Sequence, residues 1–153
     1  MKKFKFQLET LLKVTRMKRE DAEVKFAEVS RKLEDQRAHL DLLLSEMQAG
    51  QREYESLSTE GTRVTVGRLM AYNSFFAWKR EQIDMQNQLI LQTKGERQKR
   101  LRELMDVMRY LKSIEQLKEK KLQEYKAEAL HEEQKMLDEI GLQLTMRRKE
   151  AVI

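Results

Sequence analysis

Apolar side chains recur every seven residues in two long stretches of the sequence, on either side of a short break. The first stretch carries Phe26, Leu33, Leu40, Met47 and Tyr54. The second carries Leu69, Phe76, Ile83, Ile90, Leu104 and Leu111. A seven-residue step keeps side chains on one stripe of a helix, and such a stripe packs against another helix. The pattern therefore predicts two long helices, each with a narrow apolar seam.

The break between the two stretches predicts a turn at residues 58–65, where capping side chains and the flexible Gly61 occur together. If the chain folds back there, residues whose numbers sum to about 123 face each other in an antiparallel coiled coil. This register pairs Tyr54 with Leu69, Met47 with Phe76, Leu40 with Ile83, Leu33 with Ile90, Leu12 with Leu111, and Gly50 with Asn73. The predicted fold is all-α, a long antiparallel two-helix coiled-coil hairpin whose second helix is longer than the first.

The predicted organisation is helix one at residues 4–57, the turn at 58–65, and helix two at 66–148. Thr65 is the expected N-cap of helix two, because its hydroxyl can accept a bond from an otherwise unpaired amide. At about 1.5 Å per residue the helices would be about 80 Å and about 120 Å long. Residues 119–148 are therefore expected to overhang helix one.

Composition supports long solvated helices and narrows the function classes. The sequence has no proline, five glycines among 153 residues, and 37% charged residues, whereas an ordinary globular domain needs more turn residues. It has no cysteine, which removes disulfides and thiol chemistry. No apolar run is long enough to cross a bilayer and no signal peptide is recognisable, so residence in the cytoplasm is expected.

The predicted overhang carries an apolar stripe without an intramolecular partner. Its members are Leu122, Tyr125, Ala129, Leu137, Ile140 and Leu144. Such a stripe is expected to find an intermolecular partner. Self-association of two overhangs, a frayed amphipathic tail and insertion into a different protein all remain open.

A second candidate surface lies just after the turn, where four aromatic residues fall within seven positions: Tyr72, Phe75, Phe76 and Trp78. At 100° per residue Phe76 and Tyr72 lie near the seam, Phe75 flanks it, and Trp78 points away from it. Trp78 is therefore expected to be exposed. The cluster is either a partner anchor or local packing around the turn.

No catalytic, metal-binding or cofactor-binding pattern is present, and the chain is not predicted to be an enzyme. His39 and His131 are far apart in sequence, and His131 lacks the second histidine of a zinc-binding pair. The net charge of +5 is concentrated in residues 94–121, which hold ten basic and five acidic residues. This run leaves nucleic-acid binding as an alternative, beside a solvated face or a surface for an acidic protein.

The opening segment, Phe-Lys-Phe-Gln-Leu-Glu-Thr-Leu-Leu-Lys-Val at residues 4–14, resembles the start of the bacterial flagellar export protein family FliJ. The length, the two-helix plan, Tyr54 before the turn and the segment at residues 72–75 after it are also similar to that family. The resemblance implies a component of the flagellar type III export apparatus, whose fold is similar to the gamma subunit of rotary ATPases.

The resemblance also implies partners: the hexameric export ATPase FliI, its regulator FliH, the membrane export gate FlhA and, in some members, export chaperones. On this chain the ATPase-facing residues would be Phe4, Phe6, Leu8, Leu122, Tyr125, Ala129, Leu137, Ile140 and Leu144. The gate-facing residues would be Met47, Tyr54, Tyr72, Phe75, Trp78, Lys79 and Gln86. Gly50 stands where the family often has a larger residue. A cytoplasmic chaperone or scaffold for export substrates remains the alternative function.

Overall fold

A computed structural model describes residues 2–59 and 63–152 of the chain, without the side chains of Ser58 and Val152. It contains two α-helices, α1 at Glu9–Thr59 with 51 residues and α2 at Val66–Val152 with 87. The described residues include no strand. The predicted all-helical hairpin with a longer second helix is confirmed. Gly61, at the centre of the predicted turn, lies outside the described residues.

Both helices end later than the sequence predicts, α1 at Thr59 rather than at residue 57 and α2 at Val152 rather than at residue 148, and α1 also begins later. α1 begins at Glu9 rather than near Phe4, and residues 2–8 form a non-helical segment that we call the strap. Phe4 and Phe6 are two residues apart and would point to different sides of a helix. The non-helical backbone allows both rings to contact α2, which explains why the helix starts later.

Thr65 caps the start of α2 as predicted. Its hydroxyl accepts a bond from the amide of Arg68 at 3.3 Å, and its carbonyl accepts bonds from Arg68 and Leu69 at 3.1 and 3.2 Å. These bonds satisfy amides that would otherwise have no partner in the first turn.

Internal contacts divide the chain into two compact units. Unit 1 comprises Met1–Arg19 and Asp106–Ile153, and unit 2 comprises Glu20–Met105. Both units contain a stretch of α1 and a stretch of α2, so each has its own part of the seam.

The core of unit 1 is a small apolar cluster that contains a predicted pair. Leu12, Leu111 and Ile114 are buried together, and Phe6 and Leu11 pack at the edge of the cluster. Thr15 is also buried, and its hydroxyl donates to the carbonyl of Leu11 at 2.7 Å. The predicted pairing of Leu12 with Leu111 is confirmed.

The seam of unit 2 is partly apolar and partly polar. Its buried apolar side chains are Val29, Leu33, Leu43, Ile90 and Leu104. Three polar residues of α2 are also buried, each seven positions from the next: Lys79, Gln86 and Thr93. Each lies three residues after a member of the apolar repeat of α2, namely Phe76, Ile83 and Ile90. Three residues is the spacing between the two seam positions of a heptad. We call them the polar ladder.

The predicted register is correct to within about one helical turn, since Glu9 meets Lys118 rather than Ile114 and Tyr54 meets Tyr72 rather than Leu69. The guanidinium carbon of Arg97 lies 5.0 Å from the centre of the Phe26 ring, a pair whose numbers match the expectation. Gly50, however, faces Phe75 and not Asn73, which is exposed. A side chain in a coiled coil enters a space between four residues of the facing helix. The rule that facing residue numbers sum to about 123 identifies only one of these four.

Candidate partner-binding surfaces

A groove in unit 2, close to the turn, is the first candidate surface. It encloses about 700 Å³, and we call it the turn-side groove. Its lining consists of Glu46, Ala49, Gly50, Glu53, Arg68, Ala71, Tyr72, Phe75, Trp78 and Lys79. Two small residues leave the space, because no side chain longer than a methyl group extends from Ala49 or Ala71. Apolar and aromatic lining with a few charged groups is typical of a binding groove.

Four aromatic rings beside the groove pack on one another. The centre of the Tyr54 ring lies 5.7 Å from that of Tyr72 and 6.1 Å from that of Phe76, both edge-to-face. Phe75 contacts Phe76 in the same way at 5.7 Å. Such pairs stabilise by about 0.5–1.5 kcal/mol each beyond their burial. Local packing therefore accounts for these four rings.

Trp78 differs from these rings because it is 55% exposed, as predicted from its helical position. It borders the turn-side groove together with Phe75 and Tyr72. An exposed tryptophan beside a groove is a common anchor for a protein partner. Local packing is therefore shown for the other rings of the cluster, and a role of Trp78 as a partner anchor stays a prediction.

Lys79 lies at the edge of the groove but presents no free charge. It is 5% exposed, and its ammonium group pairs with the carboxylate of Glu46, whose side chain is 43% exposed. The same ammonium lies 5.1 Å from the centre of the Trp78 ring and 5.7 Å from that of Phe75. Lys79 therefore holds the groove's aromatic residues and α1 together.

The structure separates the seven residues expected to face the gate. Tyr72, Phe75, Trp78 and Lys79 line the groove, and Tyr54 packs on Tyr72 beside it. Met47 is half-buried and does not line the groove. Gln86 is buried, and its amide nitrogen donates to the carbonyl of Gln36 at 2.8 Å. The Gln86 side chain therefore lies within the seam and is hydrogen-bonded there.

The second candidate surface is in unit 1, where the strap lies on α2. The Phe4 ring packs on Tyr125 with 5.5 Å between centres, and the Tyr125 hydroxyl donates to the carbonyl of Lys2 at 2.5 Å. Residues 2–5 and α2 border a cavity of about 1160 Å³ whose α2 side is formed by Tyr125, Glu128, Ala129 and Glu132. The first half of the predicted unpaired stripe therefore has an intramolecular partner.

The remainder of the stripe is open. Leu122, Tyr125 and Ala129 are half-buried, whereas every residue from His131 to Ala151 is exposed. Leu137, Ile140 and Leu144 are each more than half exposed. We call these three residues the open stripe. Of the N-terminal residues in the predicted ATPase-facing set, Phe4 and Phe6 are half-buried and Leu8 is at the surface.

An ion pair fixes the start of α1 against α2 in unit 1. The ammonium of Lys118 lies 2.9 Å from the carboxylate of Glu9. Hydrogen bonding to Lys118, opposed by desolvation and aided by the charges of Lys118, Lys13 and Arg16, lowers the pKa of Glu9 below its ordinary value of 4.5. A carboxylate in the first turn also interacts favourably with the helix dipole.

Several residues of the basic run are occupied by contacts within the chain. Lys118 pairs with Glu9, and Lys121 lies 3.6 Å from Glu124. Arg97 donates to the hydroxyl of Ser30 at 3.1 Å besides its contact with Phe26. These contacts explain part of the run without a nucleic acid.

The described part of the chain shows neither a metal-ligand cluster nor a membrane-spanning stretch. No group of three or more His, Cys, Asp or Glu residues there is arranged to hold a metal ion. Neither described helix has a stretch that is long and apolar enough to cross a membrane.

The fold and these surfaces define the class of the chain as an α-helical coiled-coil hairpin with exposed apolar surfaces. The family model described as Flagellar FliJ protein matches residues 4–150, which is nearly the whole chain. The chain therefore belongs to the FliJ family, whose members are components of flagellar protein export. No curated protein and no solved structure matches the chain.

Proposed function

We propose that this protein is the coiled-coil stalk of a flagellar export ATPase, and that it links the ATPase ring to the membrane export gate. The observation that carries the proposal is the open stripe on α2, a row of exposed apolar side chains in a chain that belongs to the FliJ family. The protein itself is proposed to have no enzymatic activity and to need no cofactor.

The ATPase-facing surface is proposed to be the C-terminal part of α2 in unit 1. Leu137, Ile140 and Leu144 are spaced by three and four residues, so they share one face of the helix. A single amphipathic helix with an exposed apolar face is suited to enter an apolar pore or groove of a partner. The ring of FliI, with its regulator FliH, is the proposed partner.

The gate-facing surface is proposed to be the turn-side groove in unit 2. Trp78 supplies an exposed anchor, and the space beside Ala49 and Ala71 can receive an apolar side chain from FlhA. In this proposal Lys79, Gln86 and Met47 support the groove rather than contact the gate. The protein would then act in the cytoplasm at the flagellar base, peripherally associated with the membrane through its partners.

The test measures ATP hydrolysis and ring assembly by the purified export ATPase with and without this protein. Stimulation of both is expected. The double variant Leu137→Asp/Ile140→Asp should abolish stimulation, because two carboxylates on the apolar face cannot be desolvated in a partner. Leu142→Asp is the matched control, since Leu142 is equally exposed but lies on the opposite face of the helix.

Other outcomes would redirect the proposal. Unchanged hydrolysis and assembly with the unmodified protein would contradict the stalk function. Binding of export substrates or chaperones without stimulation would instead support the chaperone or scaffold function. Loss of helicity in the double variant, measured by circular dichroism, would show that the open stripe is a structural core.

A further inference from the structure

The strap covers the beginning of the same α2 stripe whose end is the open stripe. Leu122, Tyr125 and Ala129 are half-buried in unit 1, and Phe4 lies on Tyr125. The open stripe lies further along the same helix and on a similar face, with residues 130–136 between Ala129 and Leu137. A partner that binds Leu122, Tyr125 and Ala129 as well as the open stripe therefore has to displace the strap from Tyr125.

The inner end of the strap is firmly held. Phe6 packs against the buried cluster of Leu12, Leu111 and Ile114. Glu9, the first residue of α1, forms an ion pair with Lys118 of α2. Moving Glu9 away from α2 would break this ion pair. This end of the strap packs at the edge of the core of unit 1.

The outer end, residues 2–5, is held by much less. Its contacts with α2 are the tilted ring pair of Phe4 with Tyr125 and the hydrogen bond from the Tyr125 hydroxyl to the Lys2 carbonyl. Lys2, Lys3 and Lys5 are exposed, and their charges favour solvent. Residues 2–5 and α2 also border a cavity of about 1160 Å³, so part of the α2 surface beside this end is not in contact with it. The outer end can therefore leave α2 while Phe6 remains in place.

We propose that residues 2–5 are an exchangeable intramolecular cover, which competes with the export ATPase for the stripe on α2 and swings away about Phe6 when the ATPase binds. This inference rests on the proposed function, because it names how binding at the same surface is regulated. A cover that must leave before binding lowers the apparent affinity by the fraction of molecules that are uncovered. Weakening the cover should therefore strengthen binding, and locking it should weaken binding.

The first arm of the test weakens the cover. Phe4→Ala removes the ring contact with Tyr125 and leaves Phe6 in the core. Affinity for the purified export ATPase, measured by titration calorimetry, should rise roughly two- to ten-fold, the range that corresponds to one aromatic pair. Lys5→Ala is the matched control, because Lys5 is exposed and changing it removes one charge without removing the ring contact. If Phe4 instead contacts the ATPase directly, Phe4→Ala will lower the affinity.

The second arm locks the cover. Lys3 and Glu132 border the same cavity, and the chain contains no cysteine, so Lys3→Cys/Glu132→Cys places a unique thiol pair across it. A short bismaleimide should join the two thiols and fasten the strap to α2. The cross-linked protein should bind the ATPase at least about ten-fold more weakly than the same variant capped with N-ethylmaleimide.

Each result has one meaning. Tighter binding of Phe4→Ala together with weaker binding of the cross-linked protein supports the exchangeable cover. Equal or weaker binding of Phe4→Ala, or equal binding of cross-linked and capped protein, overturns it while leaving the stalk function intact. Failure of the unmodified protein and every variant to bind the ATPase overturns the proposed function and this inference with it.

Discussion

Gly50 shows how the absence of a single side chain shapes the turn-side groove. The residue is buried on α1, and a Cβ atom placed there would lie 2.6 Å from Cε1 of Phe75. Real Cβ atoms do not approach a ring carbon so closely, so the ring occupies the position that a side chain would take. The cost of a glycine inside a helix, about 1 kcal/mol, is therefore offset by contact with an aromatic ring.

A pair of glycine substitutions tests this interpretation. Gly95→Ala should raise the free energy of unfolding by about 0.5–1 kcal/mol, because nothing lies within 4 Å of the new methyl group and alanine favours the helix. Gly50→Ala should instead lower it by about 0.5–2 kcal/mol, because the ring of Phe75 must move. Urea unfolding followed by circular dichroism measures both. Equal stabilisation by the two changes would show that Phe75 moves aside at no cost.

Glu9 gives the structure a specific response to acid. Its pKa is lowered chiefly by the hydrogen bond from Lys118, so the ionised form stabilises the folded state. This contribution is fully present above the unfolded-state pKa and is lost as the pH falls below about 4.5 toward the lowered folded-state value.

The Glu9→Gln variant should therefore lose less stability than the unmodified protein when the pH is lowered from 6 to about 3. Melting temperatures across that range measure the effect, and the two curves should converge at the acid end. Exposed acidic residues in both proteins respond alike and cancel in the comparison. Parallel curves would show that the ion pair with Lys118 contributes nothing to folding.

At the scale of the helices, the polar ladder affects which alignment of α1 and α2 is favoured in unit 2. Lys79 and Gln86 are buried where a coiled coil usually has apolar side chains, and each meets one partner on α1. The side-chain oxygens of Gln36 and Gln82 are also buried, without a hydrogen-bond partner. Buried polar pairs contribute little net stability but penalise any register in which they lose their partners. The polar ladder therefore favours the observed alignment over one shifted by a heptad.

The ion pair in this ladder predicts an asymmetric response to substitution. Glu46→Ala leaves the buried ammonium of Lys79 without its carboxylate and should cost about 1–3 kcal/mol. Lys79→Met has a similar volume and needs no partner, while Glu46 is exposed enough to be hydrated, so the change should be within about 1 kcal/mol of neutral. Denaturant unfolding compares the two.

The double variant Lys79→Met/Glu46→Ala is the control for this pair. It should be more stable than Glu46→Ala alone, because the unpaired charge is gone. Additive effects of the two substitutions would contradict the coupling between Lys79 and Glu46.

At the scale of the whole molecule, the two candidate surfaces belong to different units. The turn-side groove lies in unit 2, and the strap and the open stripe lie in unit 1. The residues that form one surface are therefore distinct from those that form the other. This separation suits a protein that is proposed to hold two partners at once.

The exposed C-terminal part of α2 predicts a gradient in amide hydrogen exchange. Amides of residues 133–150 should exchange roughly 100-fold faster than those of residues 108–116, because the former have no packed neighbour and the latter include Leu111 and Ile114 of the buried cluster. Mass spectrometry of exchanged peptides measures the ratio. Addition of the export ATPase should slow exchange in residues 133–150.

A dilution series is the control for the exchange measurement. Exchange rates that do not change with protein concentration are expected if the open stripe is free in the isolated protein. Slow exchange that becomes faster on dilution would show that two copies cover each other's stripes, which is the self-association left open by the sequence.

By itself the sequence determined the helices, their antiparallel pairing, the cap at Thr65 and the exposure of Trp78. These follow from local spacing. In any chain, a seven-residue apolar repeat places side chains on one face of a helix, and a hydroxyl residue just before a helix can cap its first turn. Its opening segment also indicated the FliJ family, and the family model confirmed it. The apolar repeat alone did not predict the polar ladder. Its members nevertheless lie three residues after Phe76, Ile83 and Ile90, and this spacing is visible in the sequence.

Only the tertiary structure decided the rest. The ring of Phe75 occupies the space at Gly50, Lys79 and Gln86 are buried, and the strap covers Tyr125. Each of these depends on which atoms of distant residues meet across the seam, and a repeat fixes that choice only to within about one helical turn. The strap depends further on a non-helical backbone, which becomes favourable only when α2 offers contacts to both Phe4 and Phe6.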